Sequence, residues 1–265
     1  FIHNVAAELT GTRIIYLPFE VHASYLKNAV KGTVALGLKG FNVTVPHKVK
    51  VVDYVNKLSE EASVIGSVNT VVNELGKLIG YNTDVNGIFD SLTPYKSQIS
   101  GNEVCIIGAG GSARAVIYAL VRYFKPRKIY LVNRTDQHAE ALKQHFKSKM
   151  KFDGIVPKEL QQPDLINVLN SCALIVNSTP VGMYPTIDDS VLSTADVFIK
   201  DQIVFDLVYN PVKTKFLQLA DSKNAVTING LNMLVQQAAK SFNLWTGKDF
   251  PTEKVYKSLL LYVSK

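Results

Sequence analysis

The chain has 265 residues, 47% of them hydrophobic and 19% charged, and a formal net charge of +7. That length suits two modest domains or one large one, and the apolar content supports a buried core, which excludes a disordered chain. No apolar run reaches the ~18 residues of a membrane helix, and no signal peptide is visible. The positive field predicts small anionic ligands. Its densest run, Lys143 to Lys151, matches no nucleic-acid-binding module, so neither nucleic acid nor a membrane is an expected partner. Cys105 and Cys172 sit in apolar, strand-like runs without metal or redox spacing. They read as buried thiols of a reducing, cytoplasmic compartment, and no metal site is expected.

In chain order, IIYLPFEV (14–21) predicts a strand, and 22–37 a helix carrying Leu26, Val30 and Val34 at helical spacing, with Gly37 closing it. GFNVTV (40–45) predicts a strand that Pro46 stops, leaving His47 and Lys48 at its mouth. VNTVVNELGKLIGYNT (68–83) predicts two strands around a glycine turn, DVNGIFDSL a helix, and TPYKSQISGNE (93–103) a polar connector. A second alternation opens at 103–124 with a buried strand, a glycine turn and a helix. KIYLVNRT (128–135) predicts the next strand, followed by a helix to about Lys149. ALIVNSTP (173–180) and QIVFDLVYNP (202–211) are continuous apolar runs ending in polar residues, as buried parallel strands are, and AVTIN (225–229) is the last strand. Two helices, 230–247 and 252–265, end the chain. The expected fold is α/β with two domains: residues 1–85, completed by 231–265 as the C-terminal helices return, and a Rossmann-like, doubly wound domain over 86–230.

In the second domain, Gly108-Ala109-Gly110-Gly111-Ser112-Ala113 fits G-x-G-x-x-A between the strand Val104–Ile107 and a helix. That context lets backbone approach a pyrophosphate at a helix N-terminus, although a tight turn without a ligand has the same residues. Asn133 lies 23 positions after Gly110, near the ribose-reading position, and is followed by Arg134 and Thr135. A carboxylate there would accept from a ribose 2′-hydroxyl, whereas a guanidinium binds a 2′-phosphate, so NADP is the expected cofactor. Asn177, Ser178 and Thr179 end another strand, either lining the ribose and nicotinamide pocket or forming an ordinary strand exit.

In the first domain three polar clusters stand at element ends: Asn42/Thr44/Lys48, Ser67/Asn69/Thr70 and Tyr81-Asn82-Thr83-Asp84. Gln236-Gln237 lies on the penultimate helix. Each has a bland reading, with Asp84 as a helix cap, Asn69 as a turn residue, and Lys48 and Gln237 as solvated surface. Together they suit a polyhydroxylated small-molecule substrate, which needs many neutral donors and acceptors and one proton carrier.

GFNVTVPHK (40–48), GSVNTV (66–71), GYNTD (80–84), GAGGSARA (108–115), NRT (133–135), NSTPVGM (177–183), DLVYNP (206–211) and GLNMLVQQ (230–237) occur in this order. With these motifs the chain resembles the shikimate dehydrogenase family over essentially its whole length. The resemblance implies NADPH-dependent, reversible reduction of 3-dehydroshikimate to shikimate by a monomer or homodimer. It implies Lys48 and Asp84 as the catalytic pair, and Thr44, Asn69, Asp84, Tyr209 and Gln237 as substrate contacts. It further implies that Leu207, Gly230 and Met233 line the cofactor.

There are two departures. The family's basic residue three positions after the NRT threonine is His138 here, so weaker or pH-dependent NADP binding is expected. The family's first strand, and the serine pair that holds the substrate carboxylate, precede the motif to which His3-Asn4 corresponds. The chain starts within that motif, and an upstream segment is expected. The alternatives are a quinate/shikimate dehydrogenase that uses NAD, against which Arg134 speaks, a folate-linked dehydrogenase of similar plan, and a non-catalytic sensor. Retention of both Lys48 and Asp84 speaks against the sensor.

Overall fold

The computed structural model describes residues 1–161 and 164–263, and the chain divides into two compact units, Phe1–Gly87 with Leu234–Val263, and Ile88–Met233. The first contains α1 (Ile2–Leu9), α2 (Leu26–Ala35), β1 (Gly40–Asn42), β2 (Lys57–Leu58), α3 (Glu60–Ile65), β3 (Thr70–Glu74), β4 (Lys77–Tyr81) and the start of α4 (Asp84–Leu92). Its sheet runs β1-β3-β4-β2, antiparallel except for the β2–β4 pair. The β3–β4 turn places Leu75 and Gly76 at φ 52° and 90°, the left-handed pair that a two-residue hairpin demands, and Asn73 Oδ1 accepts from the Gly76 N–H. Val43, Val51, Val68, Val71 and Leu78 pack beneath it with Leu26 and Val30 of α2.

The second unit contains α5 (Lys96–Ile99), β5 (Glu103–Ile107), α6 (Gly111–Ala119), β6 (Lys128–Asn133), α7 (Asp136–Met150), β7 (Ile155–Glu159), α8 (Leu165–Ser171), β8 (Leu174–Asn177), β9 (Ile203–Asp206), α9 (Lys215–Asp221) and β10 (Val226–Ile228). All six strands are parallel in the order β10-β9-β8-β5-β6-β7, so the winding reverses between β5 and β8. Such a reversal opens a crevice at the carboxyl strand ends, where the Gly108 turn lies. The chain passes out of this unit along α10 (Leu231–Thr246) and closes with α11 (Thr252–Val263) in the first. The last two residues of the helix expected over 252–265 lie outside the described residues. Among the described residues, no helix is long and apolar enough to cross a membrane.

One expected element is absent. Residues 14–21 form no strand: Ile15, Leu17 and Phe19 alternate as a strand would, yet are 82%, 60% and 72% exposed. Alternation defines a face, but a strand exists only where a neighbour pairs its backbone, and among the described residues no strand pairs with this segment. The strand expected over 40–45 stops at Asn42, and the connector at 93–103 contains α5.

Candidate active site

Lys48 is placed by anchors on either side of it. Val43 and Val51 are buried, His47 Nε2 lies 2.8 Å from the Val21 carbonyl, and the Lys48 carbonyl accepts from Val68 N–H at 2.8 Å. The intervening turn holds the lysine side chain at only 13% exposure, with Nζ donating to Asp84 Oδ2 at 2.8 Å. Asp84 opens α4, where the field of the helix N-terminus favours a carboxylate. Its side chain is 5% exposed.

The hairpin delivers the third member. Thr70 pairs with Tyr81, so Asn69 and Asn82 lie just beyond the ladder, and Asn69 Nδ2 reaches Asp84 Oδ1 at 2.8 Å. The orientation of this amide is determined by a backbone donor: Thr83 N–H can only donate, and it does so to Asn69 Oδ1 at 2.7 Å. Both carboxylate oxygens of Asp84 are therefore engaged by N–H donors, one cationic and one neutral. Gln237 comes from α10, its Oε1 standing 3.4 Å from Asn69 Nδ2. Thr44 is exposed on the turn that precedes Lys48. Lys48, Asp84, Asn69 and Gln237 thus meet in one cluster. A buried lysine–aspartate pair beside neutral amides can move a proton to or from a ligand oxygen.

Asn42, Thr70, Thr83, Ser241 and Tyr16 also surround this cluster, and the sequence alone assigns none of them a role. The first three belong to the polar clusters at element ends. Ser241 lies four residues beyond Gln237 on the same helix, and that spacing was the available signal.

In the second unit, Gly108 has φ 105°, and a Cβ there would stand 2.8 Å from Ser178 Oγ and Thr179 Cγ2, so glycine is required. At Gly110 a Cβ would meet nothing, which leaves the start of α6 open to a ligand, and Gly110 caps that helix without a side-chain bond. Ala109, Gly110, Asn133, Arg134, Thr135 and His138 line a cavity of about 440 Å³. Asn133 Nδ2 donates to the Thr135 carbonyl at 2.9 Å, and Arg134 and His138 are exposed. The open glycine and the guanidinium fit a phosphorylated ligand.

The remaining positions lie at the end of β8, in the loops that follow β8, β9 and β10, and in the first turn of α10. Asn177 spends its amide on Asp206 Oδ1 (3.0 Å) and on Thr179, whose N–H and hydroxyl donate to Asn177 Oδ1 at 3.0 and 2.8 Å. Ser178 Oγ donates to the Ile107 carbonyl at 2.7 Å. Asp206 is fully buried and also accepts from Thr214 Oγ1 at 2.6 Å and Val208 N–H at 3.0 Å. Burial pushes its carboxyl up to about 6, against the pull of those donors. It thereby ties β8 to the loop that carries Leu207 and Tyr209. Gly230 presses on the Leu207 and Val208 backbone so closely that a Cβ would overlap the Leu207 carbonyl. Met233 is buried, and Tyr209 is partly exposed. Among the described residues, no group of His, Cys, Asp and Glu is arranged to hold a metal ion.

Comparison with known proteins identifies the family. Residues 1–71 match the shikimate dehydrogenase substrate binding domain, 92–232 the shikimate / quinate 5-dehydrogenase family, and 230–260 the shikimate 5'-dehydrogenase C-terminal domain. The chain is 43% identical over 260 residues to the shikimate dehydrogenase (NADP(+)) of Caldanaerobacter subterraneus subsp. tengcongensis, covering 97% of this chain and 90% of the relative. A crystal structure of a shikimate dehydrogenase in complex with NADP+ superposes with a TM-score of 0.90 at 36% identity, over 100% of this chain and 90% of that one. The shikimate 5-dehydrogenase of Listeria monocytogenes, in complex with shikimate and NAD, does so at 0.83 and 35%, over 97% and 90%. With identity of this order along nearly its whole length, the chain belongs to the shikimate dehydrogenase family.

Proposed function

We propose that the chain catalyses the reversible, NADP-dependent interconversion of shikimate and 3-dehydroshikimate. The observation that carries this is the Lys48–Asp84 pair at 2.8 Å, with Asn69 on the second carboxylate oxygen. In the reducing direction negative charge grows on the substrate carbonyl oxygen. The Lys48 ammonium stabilises that oxygen and protonates it, and in the oxidising direction the neutral amine takes the hydroxyl proton. Asp84 orients Lys48 and accepts from a substrate hydroxyl, while Asn69, Gln237, Thr44 and Tyr209 supply further polar contacts to the polyol.

NADP, when bound, supplies or accepts the hydride. Gly108 to Ala113 would cradle its pyrophosphate. Arg134, Thr135 and His138 would hold the 2′-phosphate, with Asn133 shaping their turn. Asn177, Ser178, Thr179, Leu207, Gly230 and Met233 would border its ribose and nicotinamide. The first unit is then the substrate domain and the second the NADP domain, in a protein expected to work in the cytoplasm. Initial rates with shikimate and quinate, each with NADP+ and NAD+, test this. Shikimate with NADP+ should be the fastest pair, and a faster rate with quinate and NAD+ would replace the proposal with a quinate dehydrogenase.

A further inference from the structure

Behind Asn69 lie three fully buried hydroxyls, Thr70, Thr83 and Ser241, each within reach of the other two. Thr70 and Ser241 are 2.8 Å apart, Thr70 and Thr83 3.1 Å, and Thr83 and Ser241 3.1 Å. They come from three segments: Thr70 opens β3, Thr83 immediately precedes α4, and Ser241 lies one turn beyond Gln237 on α10. Asn42 of β1 closes over them, its Nδ2 donating to Thr70 Oγ1 at 3.0 Å and Ser241 Oγ at 3.2 Å, while Tyr16 O–H donates to Asn42 Oδ1 at 2.9 Å.

Filling space does not require these hydroxyls. Valines and an alanine of the same shape would occupy it with no hydrogen-bonding demand. What the hydroxyls add is direction. Thr70 Oγ1 donates to Asn69 Oδ1 at 3.1 Å, Asn69 Nδ2 donates to Thr83 Oγ1 at 3.0 Å, which leaves the Thr83 proton for the ring, and Ser241 Oγ donates back to the Gln237 carbonyl at 2.9 Å. The ring therefore meets Asn69 on one side and the turn that carries Gln237 on the other.

We propose that Thr70, Thr83 and Ser241 form a positioning ring that fixes α10 in register with the ends of β3 and α4, so that Gln237, Asn69 and Asp84 face one substrate at set spacing. This rests on the functional reading above and deepens it. Hydroxyls on a cyclic polyol are rigidly placed, and polar groups that match them must be held as rigidly.

The test uses the full chain with Thr70→Val, which deletes the hydroxyl but keeps the shape, Thr70→Ser, which keeps the hydroxyl, and Ser241→Ala. With shikimate and NADP+, Thr70→Val and Ser241→Ala should lower kcat by about 10-fold and raise the KM for shikimate, leaving the KM for NADP+ unchanged. Thr70→Ser should stay within about 2-fold of the wild type on the same ground. Normal kcat and shikimate KM in folded Thr70→Val and Ser241→Ala would overturn the ring. Failure of the wild type to oxidise shikimate would instead overturn the proposed reaction. Solvent exchange of the Asn69 side-chain amide, followed by NMR, then decides on the ring. Faster exchange in Thr70→Val or Ser241→Ala than in wild type and Thr70→Ser upholds it, and equal rates overturn it.

Discussion

Thr83 N–H donates to Asn69 Oδ1 at 2.7 Å, and this bond decides that Asn69 turns its N–H, not its carbonyl, toward Asp84. Asp84 is thereby held by two donors. Asn69→Ala leaves one buried carboxylate oxygen without its donor, a loss of about 1–3 kcal/mol, so kcat/KM for shikimate should fall by about 10- to 100-fold. Asn69→Asp places a second carboxylate beside the first and should be worse still. Steady-state kinetics of the two variants check the order.

Cofactor preference should depend on Arg134. A charge-assisted guanidinium–phosphate bond contributes about 1.5–3 kcal/mol, so Arg134→Asp should raise the KM for NADP+ by 10-fold or more while changing that for NAD+ little. His138→Arg, in the same cavity, should lower the KM for NADP+. Paired titrations of NADP+ and NAD+ measure both.

Stability should respond to pH with opposite signs in the two units. His3, buried against Tyr16 and Trp245, is lowered by that burial from 6.5 to about 4. Between those values the unfolded chain binds the proton more strongly, so this contribution is present above about 6.5 and lost as pH falls toward 4, about 3 kcal/mol in all. Asp206 is raised by burial from 3.8 to about 6. There the folded chain binds the proton more strongly, and about 3 kcal/mol is lost as pH rises across that window. The two oppose each other in the wild type. His3→Phe should therefore become less stable as pH rises from 4 to 6, and Asp206→Asn more stable, in urea unfolding at stepped pH.

Much of this molecule is legible in its sequence where burial is continuous. Strands β5, β8 and β9 are unbroken apolar runs because helices cover both faces of a parallel sheet, and the glycine turn follows from its place after β5. β7 escapes because Pro157 argues against a strand, and it is tolerated only because β7 is the sheet edge. β2 is two residues long, too short for any periodicity. The strand expected at 14–21 fails for another reason: Ile15, Leu17 and Phe19 specify a face but say nothing about a partner. Lys48, Asp84 and Asn69 stand out in the sequence as polar residues at element ends, and the structure brings their side chains together. Ser241 is not, since a serine within an amphipathic helix reads as surface until β3 and the start of α4 are folded against it.

The central claim is that Lys48 carries the proton and Asp84 holds Lys48 in place. Steady-state kinetics of Lys48→Met with shikimate and NADP+ test it most directly, because methionine keeps the apolar stem and removes only the ammonium. Asp84→Asn, which removes only a charge, should lower kcat and also weaken shikimate. The double variant should lose less than the product of the single losses. For Lys48→Met itself the account predicts a fall in kcat of about 10²- to 10⁴-fold with little change in the KM for shikimate. Near-normal turnover in that variant would contradict it.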